Sequence, residues 1–216
     1  MSNGQALVSD LYANAIQIVD INNCTTLGQI QTGGWTEEMV QIGNRIFVAQ
    51  MGTDKVLVID ATTLTLTDSI QVGREPNSLE VDQNGKLWVL CSGGLSEALP
   101  TLHRIDAQAL LVEHSDTIGV LADSPTKLGI NAAGDHLYWL NGDVYTGNVA
   151  GALMPSITFA KGNRNFYGLA LHPNSDDIYV TDAKDFQRKG QLYRIRTTGV
   201  DSFEVGINAG GVYFLP

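Results

Sequence analysis

An all-β propeller of about five four-stranded repeats is the fold this sequence predicts, and three observations predict it. A unit of about forty residues recurs along the chain, its clearest line a β-branched run closed by Asp: Ala15-Ile16-Gln17-Ile18-Val19-Asp20, Lys55-Val56-Leu57-Val58-Ile59-Asp60 and Leu102-His103-Arg104-Ile105-Asp106. Two-residue turns such as Gly43-Asn44 and Asn84-Gly85 sit between β-rich runs, as hairpins require. No segment sustains a 3.6-residue apolar period, so helices are expected to be nearly absent.

The second repeat is the template for the others. Glu37 to Ile42 alternates into a first strand, Arg45 to Gln50 makes the second, Lys55 to Asp60 the third and Thr65 to Val72 the fourth. The chain opens inside a repeat, with Ala6 to Ser9 in the second-strand position. It closes on Gly210-Gly211-Val212-Tyr213-Phe214-Leu215, which reads as a lone first strand. A terminal strand that completes the opening blade removes an exposed edge, so that arrangement is expected here. One propeller domain over 1–216 follows, with repeats at roughly 5–33 plus 208–216, 34–73, 74–119, 120–162 and 163–207. The Asp that closes each third strand (Asp20, Asp60, Asp106) is expected to accept backbone N–H bonds in the turn behind it, a structural role.

Composition narrows the function classes. Lys+Arg 13 against Asp+Glu 23 gives a formal charge of −10, a surface that repels phosphate backbones and argues against nucleic acid as a partner. No apolar run reaches the roughly 18 residues a spanning helix needs. Met1-Ser2-Asn3-Gly4-Gln5 lacks the basic and apolar regions of a signal peptide. Cys24 and Cys91 read as two unrelated thiols, with a disulfide between repeats as the alternative, and no Cys/His spacing suggests zinc or another cofactor.

Loops on a rigid scaffold are where binding residues concentrate. In a propeller the loops entering each first strand and those joining second to third strands share one face. That face brings forward Tyr12, Trp35, Glu37, Glu75, Asn77, Lys127, Asn165, Tyr167, Asp182, Lys184 and Asp185 as the candidate ligand- or partner-binding set. Tyr12, Trp35, Phe166, Tyr167 and Phe186 offer rings to a planar or apolar ligand, with Asn side chains and Lys127 to orient it. The plainer alternative packs Trp35 and Tyr167 between neighbouring blades. The segment Asp182 to Gly190 carries two carboxylates and three cations, which suits either partner recognition or a solvated, self-neutralising loop. Another loop exposes Leu95 and Leu99 to a neighbouring blade or to a partner. For catalysis, Glu37, Glu75, Asp123 and Asn165 fall only roughly where an axial metal set would lie. The four histidines are scattered and read as surface or half-buried residues, and no nucleophile elbow or phosphate loop occurs.

Glu37-Glu38-Met39-Val40, Arg45 to Gln50 and Val56 to Asp60 resemble the YncE-like, surface-layer-type propeller lipoproteins of Bacteroidetes. Tyr167-Gly168-Leu169-Ala170-Leu171-His172-Pro173 with Ile178 to Asp185, and the closing Gly210-Gly211-Val212-Tyr213-Phe214, carry the resemblance further. It implies a secreted or outer-membrane-anchored binding protein, usually seven-bladed, and so an extracytoplasmic location. Some members sit beside TonB-dependent transporters and capture corrinoids such as cobalamin. Relative to that family the front of the chain lacks a signal peptide, an anchoring cysteine and about two blades, implying either the C-terminal part of a seven-bladed ring or a shortened one. The reading is therefore a non-catalytic binding module for a small ligand, a corrinoid in its most concrete form, or for an outer-membrane transporter. A metal-dependent propeller hydrolase or lactonase and a structural surface-layer or adhesion propeller are the alternatives.

Overall fold

A computed structural model describes residues 4–151 and 153–215. Nineteen strands form five antiparallel sheets, and the one helical element among the described residues is a 3-10 turn at Met51–Thr53. The residues fall into two compact units, 4–79 with 85–124 and 80–84 with 125–215.

The first unit holds three sheets. β1 (Gln5–Asp10), β2 (Ala15–Asp20) and β3 (Thr25–Gln31) make a three-stranded one. β4 (Thr36–Ile42), β5 (Arg45–Gln50), β6 (Lys55–Asp60) and β7 (Thr65–Gln71) make the second, and β8 (Pro76–Val81), β9 (Leu87–Cys91), β10 (Thr101–Asp106) and β11 (Leu111–Thr117) the third. The period-2 run of β6 explains why sheets stack here. Val56 and Val58 enter one apolar cluster with Phe47, Leu87 and Val89, while Leu57 and Ile59 enter another with Ile16 and Val48. Successive side chains of a strand point to opposite faces, so a sheet covered on both sides reads as continuously apolar.

The second unit holds β12 (Thr126–Ile130), β13 (His136–Asn141), β14 (Asp143–Asn148) and β15 (Ser156–Phe159), followed by β16 (Phe166–Leu171), β17 (Ile178–Asp182), β18 (Lys189–Arg196) and β19 (Gly199–Ile207). Leu140, Val144, Ile178 and Val180 join the two sheets in one core. Gly129 lets them approach, since a Cβ there would lie 2.5 Å from a Leu171 methyl.

The turn aspartates do what the repeat predicts. Asp20 Oδ1 accepts the backbone N–H of Asn22 and Asn23, Asp60 Oδ1 those of Thr62 and Thr63, and Asp106 Oδ1 those of Gln108 and Ala109. The Ala109 N–H, with the Lys86 ammonium behind it, draws the Asp106 carboxyl down to about 2.

Two expectations are corrected. Residues 210–215 form no strand, and the first sheet keeps three members rather than gaining a fourth from the C-terminus. The segment packs instead on its own unit: Phe214 lies edge-on to Tyr179 and His172, and the Gly210 carbonyl oxygen sits 2.7 Å from where a Gly168 Cβ would be. A strand-like composition becomes a strand only when a ladder partner accepts its N–H groups. The second correction is His103, which is buried, at 7% exposure, rather than at the surface or half-buried. Its Nε2 accepts the Gly73 N–H at 2.9 Å, which leaves Nδ1 as the donor to Ser115 Oγ at 2.7 Å. Cys91 lies beside this cluster, and burial pushes its thiol up to about 12, whereas Cys24 is exposed.

Candidate functional site

The sequence singled out loop residues, and the strand registers place several of them at one recurrent position. In β4, β12 and β16 the ladder skips after its first pair: between Thr36 and Met39, between Thr126 and Gly129, and between Phe166 and Gly168. Such a bulge leaves residues out of the ladder and re-aims a side chain. Glu37, Lys127 and Tyr167 each follow that first pair.

A second repeated feature fixes the position just before these strands. The residue after the second strand donates its N–H back across the hairpin: Met51 to the Trp35 carbonyl, Ser92 to that of Glu75, and Ala183 to that of Asn165. Trp35, Glu75 and Asn165 are thus equivalent, and Asn77 falls in line with Glu37, Lys127 and Tyr167. Glu37, Glu75, Asp123 and Asn165 fall only roughly in line along the sequence, and the strand pairing has Glu37 two residues further along its blade than Glu75 and Asn165.

In the first unit Trp35 is half exposed and Tyr12 almost wholly so, at 99%. Glu75 is already engaged: its N–H donates to Asp54 Oδ1 at 3.0 Å, and its Oε2 accepts from Ser92 Oγ at 3.0 Å. It also holds a left-handed φ of 52°. Asn77 Oδ1 accepts from Ser78 Oγ at 2.7 Å. Leu95 and Leu99 stay exposed.

The second unit holds the more developed arrangement, in the loop from Asp182 to Lys189. Asp182 is buried, and its Oδ1 accepts the Asn165 N–H at 2.8 Å and the Lys184 N–H at 2.9 Å. Asn165 Nδ2 adds a bond to the Lys184 carbonyl at 3.1 Å. Further along, Asp185 Oδ1 accepts the N–H groups of Gln187 and Arg188, and its Oδ2 accepts from Arg188 Nε at 2.8 Å. The Arg188 N–H leads in drawing the Asp185 carboxyl down to about 2. Between these two carboxylate-centred turns Phe186 projects at a left-handed φ of 61°, 46% exposed. It meets Tyr167, 41% exposed, with ring centroids 5.3 Å apart and planes at 87°. Two half-open rings are thus held in a fixed edge-to-face pair.

The charged residues of this loop partner one another or their neighbours. Arg188 pairs with Asp185, Lys189 with Glu204 at 2.7 Å, and Lys184 Nζ reaches Gln191 Oε1 at 3.4 Å. Such exposed pairs contribute little energy, so the loop's order comes chiefly from Asp182 and the turn bonds of Asp185. Phe166, the other ring of the predicted set, stacks on Phe159 at 5.5 Å instead. Lys127 is exposed with φ 61°. Among the described residues no cluster of three or more His, Cys, Asp or Glu side chains is arranged to hold a metal ion. The role of Asp182 as an internal anchor was not legible in advance, because burial separates a structural carboxylate from a binding one.

The model of a family described as a domain of unknown function (DUF5074) matches residues 2–214. The chain belongs to that family. No curated protein matches the sequence. Among solved structures, this DUF5074 chain is similar to virginiamycin B lyase from Staphylococcus aureus, 11% identical over 98% of this chain and 71% of that one, with a TM-score of 0.75. Hydrazine synthase from Kuenenia stuttgartiensis aligns with a TM-score of 0.74 at 15% identity, over 89% of this chain and 62% of that one. A functionally unknown protein from Desulfotomaculum acetoxidans DSM 771 aligns with a TM-score of 0.72 at 9% identity, over 95% and 67%. The chain thus spans less than two thirds of the hydrazine synthase chain it matches. At these identities the likeness establishes the β-propeller fold, and no helix among the described residues is long and apolar enough to cross a membrane.

Proposed function

We propose that the chain is a capture module that takes a planar, partly apolar small molecule on the loop between β17 and β18, and that it is not a catalyst. The observation that carries this reading is the half-exposed Tyr167–Phe186 pair, held in one geometry by Asp182 and Asp185. Rigid aromatic rings contribute contact area at low entropy cost, and a pre-formed loop avoids the ordering penalty of binding. Asn165 and Lys184, each two residues before one of the rings, are tied by their N–H groups to the same Asp182 carboxylate.

A corrinoid is the most concrete ligand, and it comes from the resemblance to the YncE-like surface lipoproteins. So do the extracytoplasmic location and an outer-membrane transporter as the receiving partner. Against a metal-dependent hydrolase, the Glu75 carboxylate already accepts from Ser92 Oγ, and Asp182 and Asp185 are committed to turn N–H groups. The test is a calorimetric titration with cobalamin, run with calcium and again with a chelator. Saturable, calcium-independent heat supports capture. Absence of heat removes the corrinoid version, and a signal from calcium alone turns the assignment toward hydrolysis.

A further inference from the structure

The strand ends opposite that loop carry a second feature of the second unit. A cleft of about 550 Å³ opens among the β12–β13, β16–β17 and β18–β19 turns, within the range of small-molecule sites. Its floor is built. Asn131 is nine-tenths buried, its Oδ1 accepts the N–H groups of Asp135 and His136 at 3.0 Å, and its Nδ2 donates to Asp135 Oδ1 at 2.8 Å. His136 Nδ1 adds a bond to the same oxygen at 2.7 Å. One side chain thus holds the turn, and the Asp135 carboxylate is fixed at the cleft.

Across from it, Arg196 and Arg194 share the Asp201 carboxylate, Arg196 through Nη2 at 2.9 Å. Arg196 Nε is buried and meets no hydrogen-bond acceptor. An orphaned buried donor is costly and calls for an acceptor that the protein does not provide. Asp176 lines the cleft with an exposed carboxylate open to a donor, and the Asp135 carboxylate, held at Oδ1 by Asn131 and His136, lines the same cleft as a fixed acceptor. Ile178 and the half-buried ring of Tyr138 supply apolar surface between these groups.

A hydroxyl group answers both demands, since it donates to a carboxylate and accepts from a guanidinium. Two arginines (Arg194, Arg196) stand against three carboxylates (Asp135, Asp176, Asp201), so the surroundings carry a formal charge of 2 − 3 = −1 with His136 neutral. That small excess favours neither a strong anion nor a strong cation. We propose that this cleft binds a neutral saccharide, with ring hydroxyls between Arg196 and the Asp135 and Asp176 carboxylates and a C–H face on Tyr138 and Ile178.

The test is saturation-transfer NMR backed by calorimetry on the full chain. The probes are glucose, galactose, N-acetylglucosamine and maltotriose, with glucosamine and glucuronate as charged controls. At least one neutral sugar gives saturable transfer at millimolar concentration. Asp176→Asn and Arg196→Lys each weaken it roughly tenfold or more, the second because lysine keeps the charge on Asp201 but lacks Nε–H. Tyr167→Ala, at the opposite strand ends, leaves sugar binding unchanged and so separates this site from the aromatic loop. Transfer from no neutral sugar, a preference for glucosamine or glucuronate, or full binding by Asp176→Asn overturns the proposal. Because Asp176 is exposed, that last variant reads out even if Arg196→Lys fails to fold.

Discussion

Replacing Asp182 should loosen the fold and the aromatic loop together, to different degrees for two substitutions. Its Oδ1 accepts two backbone N–H groups, from Asn165 and Lys184, and the residue is only 5% exposed. Hydrogen bonds to a charged acceptor contribute about 1.5–3 kcal/mol each. Water reaches the exposed Asn165 more readily than the half-buried Lys184, so we expect Asp182→Ala to cost about 2–4 kcal/mol rather than the full sum. Asp182→Asn keeps an acceptor oxygen in place and loses only the charge assistance, which predicts a cost of about 1 kcal/mol. Urea unfolding of the three proteins measures this, with the slope checked for constancy. Ligand titration then shows whether the loop has lost its geometry: Asp182→Ala should bind worse than Asp182→Asn at matched folded fraction. Equal destabilisation by the two variants, or a cost of Asp182→Ala below about 0.5 kcal/mol, refutes the anchoring role.

Three further predictions concern the cluster around His103. Gly73→Ala places a Cβ 2.3 Å from Thr101 Oγ1 and 2.8 Å from His103 Nε2, so thermal or urea unfolding should show a loss of about 1–3 kcal/mol; wild-type stability removes that account. Burial lowers the His103 pKa below 6.5, so the unfolded chain binds more protons just under that value. The contribution of neutral His103 is full above pH 6.5 and declines as pH falls below it, and His103→Gln should flatten the stability profile just below pH 6.5. A thiol reagent at neutral pH should label Cys24 at once and Cys91 only on unfolding, and rapid modification of both in the native protein contradicts the buried assignment.

Much of the fold was legible because its determinants are local. The β-branched runs ending in Asp20, Asp60 and Asp106 specify a third strand and the turn after it within a few residues, and Gly43-Asn44 specifies a hairpin. What was not legible depends on tertiary partners. Residues 211–215 have strand composition, yet whether they pair is decided by which edge receives them, and here Phe214 settles on Tyr179 and His172. His103 stands next to Arg104 in the strand and reads like any half-exposed polar position, and only the neighbouring Gly73 and Ser115 reveal a niche that satisfies both ring nitrogens. For the candidate site, Tyr167, Asn165, Asp182 and Lys184, far apart in the sequence, come together around the β17–β18 loop. Their roles divided by burial, with Asp182 turned inward and Phe186 completing the pair. The cleft beside Asn131 and Arg196 carries no motif, since its residues come from three separate turns.

The most direct test of the capture assignment is a set of cobalamin titrations on the wild-type chain, Tyr167→Ala, Phe186→Ala and Tyr12→Ala. Losing one ring contact costs about 0.5–1.5 kcal/mol beyond its buried area, so with that area included Tyr167→Ala and Phe186→Ala should each weaken binding by about tenfold. Tyr12→Ala, which removes a ring that is 99% exposed in the first unit, should change nothing. Tight binding retained by both Tyr167→Ala and Phe186→Ala, or lost equally in Tyr12→Ala, contradicts a capture site on the β17–β18 loop.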